Sequence, residues 1–367
     1  MLHSSATKRI AIIPGDGIGI DVTAEATKLL RHLVSARHLP LEFVTFDWGA
    51  EKYLREAVSL PEGALELLRR EFDAIFIGAL GDPRVPSNQH AADILLGIRF
   101  GLDLYVNQRP VKLLDSKLCP LKNRSEQNVN FVIFRENTEG LYAGMGGNFK
   151  RDSPEEIAVQ EDVNTRKGVE RILVYAFHYA RQHGLKKLCM SDKANALPFG
   201  HGLWQRTFKE VRARYPEIES SHLYIDTLAM EMVRDPAQFE IIVTSNMFGD
   251  IISDLGAQLQ GGLGVAPSAN INPGVASMFE TVHGSAPKLA GKNLANPMAA
   301  FLTVGLMLDY LGFRREAAAI ENTVKEAIRQ NKTTPDLGGS LGTREAGDWV
   351  VGMVNGEFVA EWPTLPS

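Results

Sequence analysis

Asp250 and Asp254 sit four residues apart in the run EIIVTSNMFGDIISDL, residues 240–255. The run passes from a β-rich apolar stretch through Ser245-Asn246 into a helical pattern, and residues spaced i, i+4 share one helical face. Two carboxylates on one face repel each other unless a cation lies between them, and hard oxygen ligands suit Mg²⁺ or Mn²⁺. Alone, the pair reads equally as a solvated acidic face; its apolar neighbours and the cationic groups elsewhere in the chain point toward chemistry. Arg99, Arg109 and Arg135 each stand where an apolar segment meets polar sequence, in GIRF, NQRP and IFRE. Guanidinium forks bind carboxylates bidentately, so three converging forks would suit a ligand with two carboxylates. Taken singly, each also suits a surface ion pair. Lys193 in SDKAN and Tyr142 in EGLY add groups that move protons: an amine crowded by cations can act as a base, and a phenol can deliver a proton.

These side chains need a scaffold of strand ends and helix starts. Residues 8–13 read as a buried strand that ends in PGDGIG, and 22–34 then have helical apolar spacing. Helix at 60–70 and strand at 73–80 follow, the latter entering a Gly/Pro-rich loop at 81–88. The strand 131–135 leads into ENTEG, and the glycines of 144–147 with polar sequence to 156 predict an exposed hairpin used in subunit contact. Helix is expected at 165–182 and 202–214, with strand at 186–191 and at the start of the 240–255 run. After Gly261-Gly262-Leu263-Gly264 the composition is loop-like through Pro273, with helices again at 297–311 and 315–331. Alternating strands and helices of this kind build an α/β fold on a largely parallel sheet. The Gly15-Asp16-Gly17-Ile18-Gly19 turn has the wrong glycine spacing for a dinucleotide fingerprint and reads as a tight turn after a strand.

At 367 residues the chain is long for one core, which predicts two domains, or one domain with a large insertion. The formal charge of −5, with no basic block, argues against a nucleic-acid partner. The opening residues MLHSSATKRI lack the apolar stretch of a secretory signal, and the apolar segment 297–308 is too short to span a bilayer, so a cytoplasmic location and no membrane partner are expected. Cys119 and Cys189 alone are too few for a disulfide framework or a cysteine zinc site and are expected to be free thiols.

In order along nearly the whole chain, IPGDGIG, LLGIR, DLYVNQRPVKL, FRENTEGLY, SDKAN, the Asp226 region, SNMFGDIISDLGAQLQGGLGVAPSANI, FETVHGSAP and GKNLANP resemble the β-decarboxylating dehydrogenases, which act on isopropylmalate, isocitrate, homoisocitrate and tartrate or D-malate. The resemblance implies an isocitrate/isopropylmalate dehydrogenase-like α/β fold, distinct from Rossmann, with two α/β domains flanking a cleft. Residues 1–104 and 262–367 would form the cofactor-binding domain, and 105–261 the central domain with metal, substrate and dimerisation elements. It also implies a homodimer in which Lys193 and Asp226 of one subunit complete the other's site.

Carried onto this chain, the resemblance has Arg99, Arg109 and Arg135 grip the substrate carboxylates, Asp226, Asp250 and Asp254 hold Mg²⁺ or Mn²⁺, Lys193 remove the hydroxyl proton and Tyr142 protonate the enol carbon. NAD would lie along Glu280, His283, Gly284, Ser285, Ala286, Lys288 and Asn296. Lys288 stands where NAD-using members carry an aspartate, which makes NADP an open alternative. Leu95 and Leu96 stand where isocitrate enzymes place polar residues, and the pair suits the isopropyl group of 3-isopropylmalate. Ala92 in place of a common glutamate, and Thr281 in place of a common proline, keep D-malate or tartrate as the alternative, with homoisocitrate or isocitrate behind them. A non-catalytic regulatory subunit is the alternative of another class; retention of Tyr142, Lys193 and all three aspartates speaks against it.

Overall fold

The strand that opens the chain ends in its glycine turn and enters a helix in the computed structural model, which describes residues 7–354. Residues 1–6, part of the segment read as lacking a secretory signal, lie outside the described residues, as do 355–367. Among the described residues the strands are β1 (Lys8–Ile13), β2 (Leu41–Thr45), β3 (Ala74–Ile77), β4 (Val106–Lys112), β5 (Asn130–Glu136), β6 (Gly146–Phe149), β7 (Ile157–Gln160), β8 (Lys187–Asp192), β9 (Glu219–Tyr224), β10 (Ile241–Thr244), β11 (Pro267–Ile271) and β12 (Ser277–Thr281). The chain divides into two units: the first takes the chain up to Leu104, Leu113–Glu126 and the chain from Ala257 on, and the second takes Tyr105–Lys112 and Gln127–Gly256.

In the first unit the strands run β2-β1-β3-β12-β11. β1 is parallel to β2 and β3, β12 is parallel to β3, and β11 is antiparallel to β12. Strands covered on both faces read as continuous apolar runs rather than alternations, and AIFI of β3 is wholly buried. Ile13, Ile75 and Ile77 pack with Leu68 and with Ile94 and Ile98 of the helix Gln89–Gly101. Each such side chain contributes about 1.5–3 kcal/mol of burial.

The tight turn after β1 owes its glycines to close backbone approach. Gly15 has φ 78° and Gly17 φ 57°, and a Cβ at either would collide with the Ala79 or the Ser285 carbonyl. Between them, buried Asp16 accepts from the backbone N–H groups of Ala50 (2.6 Å) and Gly81 (2.8 Å) and meets His90 Nε2 at 2.7 Å.

The second unit is ordered β4-β5-β10-β8-β9, with β4 antiparallel to β5 and the remaining neighbours parallel. The helix Arg166–Gln182 covers it through Val169, Ile172, Leu173, Ala176, Phe177 and Ala180, a stripe at three- and four-residue spacing. Thr165 caps that helix by accepting from the Gly168 N–H at 3.0 Å. β6 and β7 form an antiparallel hairpin whose residues are all exposed.

Three differences from the sequence reading have physical causes. The loop-like stretch after Gly264 contains β11, whose Ser268, Ala269 and Asn270 have little strand propensity and are ordered by pairing with β12. Residues 113–126 belong to the first unit, not the central one, because Lys117 Nζ donates to Asn331 Oδ1 at 2.8 Å and to the Ile328 carbonyl, and Glu126 pairs with Lys325. The second unit also ends at Gly256 rather than 261. Among the described residues no helix is long and apolar enough to cross a membrane.

Candidate functional site

One register row of the second unit joins Asn107 of β4, Arg135 of β5, Thr244 of β10, Ser191 of β8 and Leu223 of β9. Just past the parallel strand ends on this row come Asn246, Lys193 and Asp226, and ligands of open α/β sheets bind outside such carboxyl ends. Arg109 lies two residues beyond Asn107 on β4, hence on the same face of the strand.

The helix Asn246–Gln260 starts directly after β10 and presents Asp250 and Asp254 to these arginines. Arg135, 2% exposed at its side chain, pairs through Nη1 with Asp250 Oδ1. Arg109 reaches Asp250 and Asp254 at 3.5 Å each. The Tyr142 hydroxyl donates to Asp250 Oδ2 at 2.7 Å, and the Arg135 guanidinium lies 5.1 Å from the centre of the Tyr142 ring. Burial pushes the Asp250 carboxyl upward, but the Arg135 charge, the Tyr142 hydroxyl and Arg109 outweigh it and hold the group below its usual range. Asp254 goes the other way: burial, reinforced by the Asp250 charge, raises it despite Arg109.

Lys193 and Asp226 form a separate pair, Nζ to Oδ1 at 2.6 Å, and the lysine's hydrogen bond keeps Asp226 low. Asp226 opens the helix Ile225–Arg234 after β9, two strands from β10, and at about 4.8 Å per strand the two elements are roughly 10 Å apart. Accordingly, among the described residues no three His, Cys, Asp or Glu side chains gather as a metal site within one chain.

In the first unit, Arg99 Nη2 lies 3.9 Å from Glu280 Oε1, which accepts from Asn270 Nδ2 at 2.7 Å. Leu95 and Leu96, four and three residues before Arg99, both lie on the side of the helix that carries that arginine; both are partly buried, and Leu95 packs against the hydrophobic core. His283 Nδ1 bonds the Gly284 carbonyl at 3.1 Å, its buried Nε2 has no partner, and burial lowers its pKa. The Gly284-Ser285-Ala286 turn is held by the Ile18 N–H donating to the Ser285 carbonyl at 2.8 Å. Asn296 is already engaged, donating to Asp336 Oδ2 at 2.8 Å and accepting from the Met298 N–H at 2.9 Å. Lys288 is exposed.

The sequence reading passed over the groups that aim the guanidinium groups. Asn107 Oδ1 takes Arg109 Nε at 2.8 Å, Ser253 Oγ takes its Nη1 at 2.9 Å, and Asn246 Oδ1 takes Arg135 Nε at 2.8 Å. Their signal was present: Asn107 sits at i−2 on the strand of Arg109, and Ser253 at i+3 from Asp250 on the helix.

The pattern of the isocitrate/isopropylmalate dehydrogenase family matches residues 9–350. A 3-isopropylmalate dehydrogenase of Thermobifida fusca is 43% identical over 94% of this chain and 97% of its own. A tartrate dehydrogenase/decarboxylase of Pseudomonas putida is 40% identical over 92% and 95%. Among solved structures, an isocitrate dehydrogenase from Methylococcus capsulatus superposes with a TM-score of 0.84 at 36% identity, covering 95% of this chain and 99% of that one. A fold match, a residue pattern and whole-length identity thus agree, and the chain belongs to the isocitrate/isopropylmalate dehydrogenase family.

Proposed function

We propose that the protein oxidises and decarboxylates 3-isopropylmalate to 2-oxoisocaproate and CO₂ with NAD as hydride acceptor, the reaction of leucine biosynthesis. The observation that carries this reading is the pair of buried guanidinium groups, Arg109 and Arg135, aimed by Asn107, Ser253 and Asn246 beside Asp250 and the Tyr142 hydroxyl. Bidentate forks fix a dicarboxylate in one orientation. The proposal includes Arg99 as the third fork, with Leu95 and Leu96 on the same helix as the apolar surface for an isopropyl group.

The donor set fits a divalent cation: Asp250 and Asp254 offer hard oxygens, and the burial and neighbouring Asp250 charge that lift Asp254 are of the kind that a cation offsets. Asp250 and Asp254, with Asp226 of the partner subunit, would hold Mg²⁺ or Mn²⁺, which supplies positive charge where the substrate oxygen becomes anionic. Lys193 of the partner subunit takes the hydroxyl proton as hydride leaves the same carbon. Tyr142 then delivers a proton to the carbon that has lost CO₂. Arg109 and Arg135 hold the two carboxylates of the bound substrate until one of them leaves as CO₂, so the departing group is set by orientation.

NAD fits the segment 280–296. The unpartnered, buried His283 Nε2 suits an adenine edge, and the Ser285 turn, held from behind by Ile18, suits the phosphates. Exposed Lys288, where an aspartate would repel a 2′-phosphate, leaves NADP as a slower alternative. The proposal includes a homodimer, supported by the exposed apolar residues Met145, Phe149, Ile157 and Val159 on and beside the β6–β7 hairpin, and by the separation of Asp226 from Asp250 within one chain. A cytoplasmic location is part of the same reading, supported by two cysteines left as thiols.

The test is a grid of 3-isopropylmalate, D-malate, tartrate and isocitrate against NAD and NADP, with Mg²⁺ or Mn²⁺, followed at the reduced-nicotinamide absorbance. The highest kcat/KM is expected for 3-isopropylmalate with NAD. A higher value for D-malate or tartrate, the reading favoured by Ala92, would replace the substrate assignment. Absence of turnover throughout would return the protein to the regulatory class.

A further inference from the structure

We infer that Asp162 and His201 form a positioning pair that sets the backbone of Lys193, an inference that rests on the catalytic reading of Lys193 above. Lys193 follows β8 in a short turn, in which the N–H groups of Ala196 and Leu197 both bond the Lys193 carbonyl. A turn of this kind leaves the lysine's own N–H pointing away from the strand ladder. That N–H donates to His201 Nδ1 at 2.9 Å. His201 is 2% exposed and sits at the start of the helix Gly200–Arg212, so water does not compete for the contact.

The direction of this bond dictates the tautomer. Nδ1 accepts, so it carries no proton, and a neutral imidazole then has its proton on Nε2. Nε2 faces Asp162 Oδ2 at 3.5 Å, and interaction with His201 is the chief reason that the Asp162 carboxyl lies below its usual range. Asp162 is itself steadied by Asn164 Nδ2 at 3.0 Å, whose carbonyl oxygen takes the Trp204 indole N–H at 2.8 Å. The Phe248 ring lies against the imidazole at 5.1 Å. On the other side of the lysine, Asp192 Oδ1 accepts from the Ala194 N–H at 2.8 Å. Two successive backbone N–H groups, those of Lys193 and Ala194, are therefore fixed by side chains, and the lysine leaves the sheet in one direction only. The same carboxylate neighbourhood reaches Tyr142: residue 163, next to Asp162, accepts from the Gly140 N–H at 2.7 Å, two residues before the tyrosine.

The test compares His201→Leu, which removes the acceptor, with His201→Asn, whose Oδ1 takes the place of Nδ1. A base displaced by about 1 Å loses on the order of 100-fold in rate. The expected result for His201→Leu is a kcat lower by roughly that factor, with KM for the hydroxy-diacid and for NAD within about twofold of the parent. His201→Asn is expected to recover most of kcat. Nitrogen NMR of the intact wild-type protein supplies a readout independent of folding of the variants: Nδ1 of His201 is expected unprotonated and Nε2 protonated. The proposal is overturned by a protonated Nδ1, by an unchanged kcat in His201→Leu, or by equal impairment of the two variants. Absence of turnover in the wild type would overturn it together with the functional reading; the three results just named leave wild-type turnover intact, so the two failures are distinguishable.

Discussion

Leu95 and Leu96 are adjacent in sequence, yet the helix Gln89–Gly101 sends them to different work. Ile94 and Ile98 are fully buried and Leu95 packs against the same core, whereas Leu96 is partly exposed. Truncation of either leucine to alanine removes the same three carbons, about 0.8 kcal/mol each if fully buried. Leu96 is partly exposed, and a share of that sum, taken as about 1.2 kcal/mol, is available to discriminate substrates. Leu96→Ala is therefore expected to lower kcat/KM for 3-isopropylmalate relative to D-malate by about tenfold, with an unfolding midpoint close to the parent's. Leu95→Ala should do the reverse, costing roughly 1–3 kcal/mol of stability with little change in the ratio. Steady-state kinetics with both diacids, paired with urea denaturation, reads both quantities. A substrate ratio untouched by Leu96→Ala but moved by Leu95→Ala would refute the assignment of the two leucines.

Lys288→Asp reverses an exposed charge at the coenzyme segment; with about 1 kcal/mol for an exposed contact, it should lower kcat/KM for NADP relative to NAD by roughly fivefold, and an unmoved ratio would place the 2′-phosphate elsewhere. Burial pushes the Cys189 thiol up to about 11, so at pH 8 its thiolate fraction is roughly one in a thousand. A disulfide reagent should thus titrate the partly exposed Cys119 alone in the native protein and both thiols in guanidinium; two rapid native equivalents would contradict the burial. Glu136 is raised mainly by burial, against hydrogen bonds from Thr138 and Glu139. A carboxyl raised on folding contributes most below its unfolded value of about 4.3, and that contribution is lost as pH rises through the folded value. Wild type should therefore lose stability relative to Glu136→Gln between pH 4 and neutrality, and urea curves that stay parallel across that range would exclude the effect.

Much of this architecture was readable because its signals are local. Strand Lys8–Ile13, helix Arg166–Gln182 with its Thr165 cap, and the i, i+4 aspartates on Asn246–Gln260 all follow from periodicity and capping within a few residues. What escaped depends on distant partners. The first helix begins at Ile18 rather than 22, where the Ile18 N–H finds the carbonyl of Ser285. β11 exists because β12 pairs with it, and residues 113–126 join the first unit through contacts to the helix Arg314–Arg329 and to Asn331 just past it. Within the site, Asp250 and Arg135 could be named from their motifs and Asn107 and Ser253 carried a local signal, whereas the pairing of Arg135 with Asp250 and its bond to Asn246 needed the register of β5 with β10.

The strands of the first unit include one from the far end of the chain: the edge of β3 pairs with β12, roughly 200 residues later. At the usual 5–20 residues per second, synthesis leaves that edge bare for about 10–40 s, while the strands of the second unit are completed first. Biogenesis thus runs from the middle outward. A hydrophobic half-sheet must wait at the ribosome for its complement, and a truncation anywhere before residue 277 would strand it, whatever became of the catalytic residues.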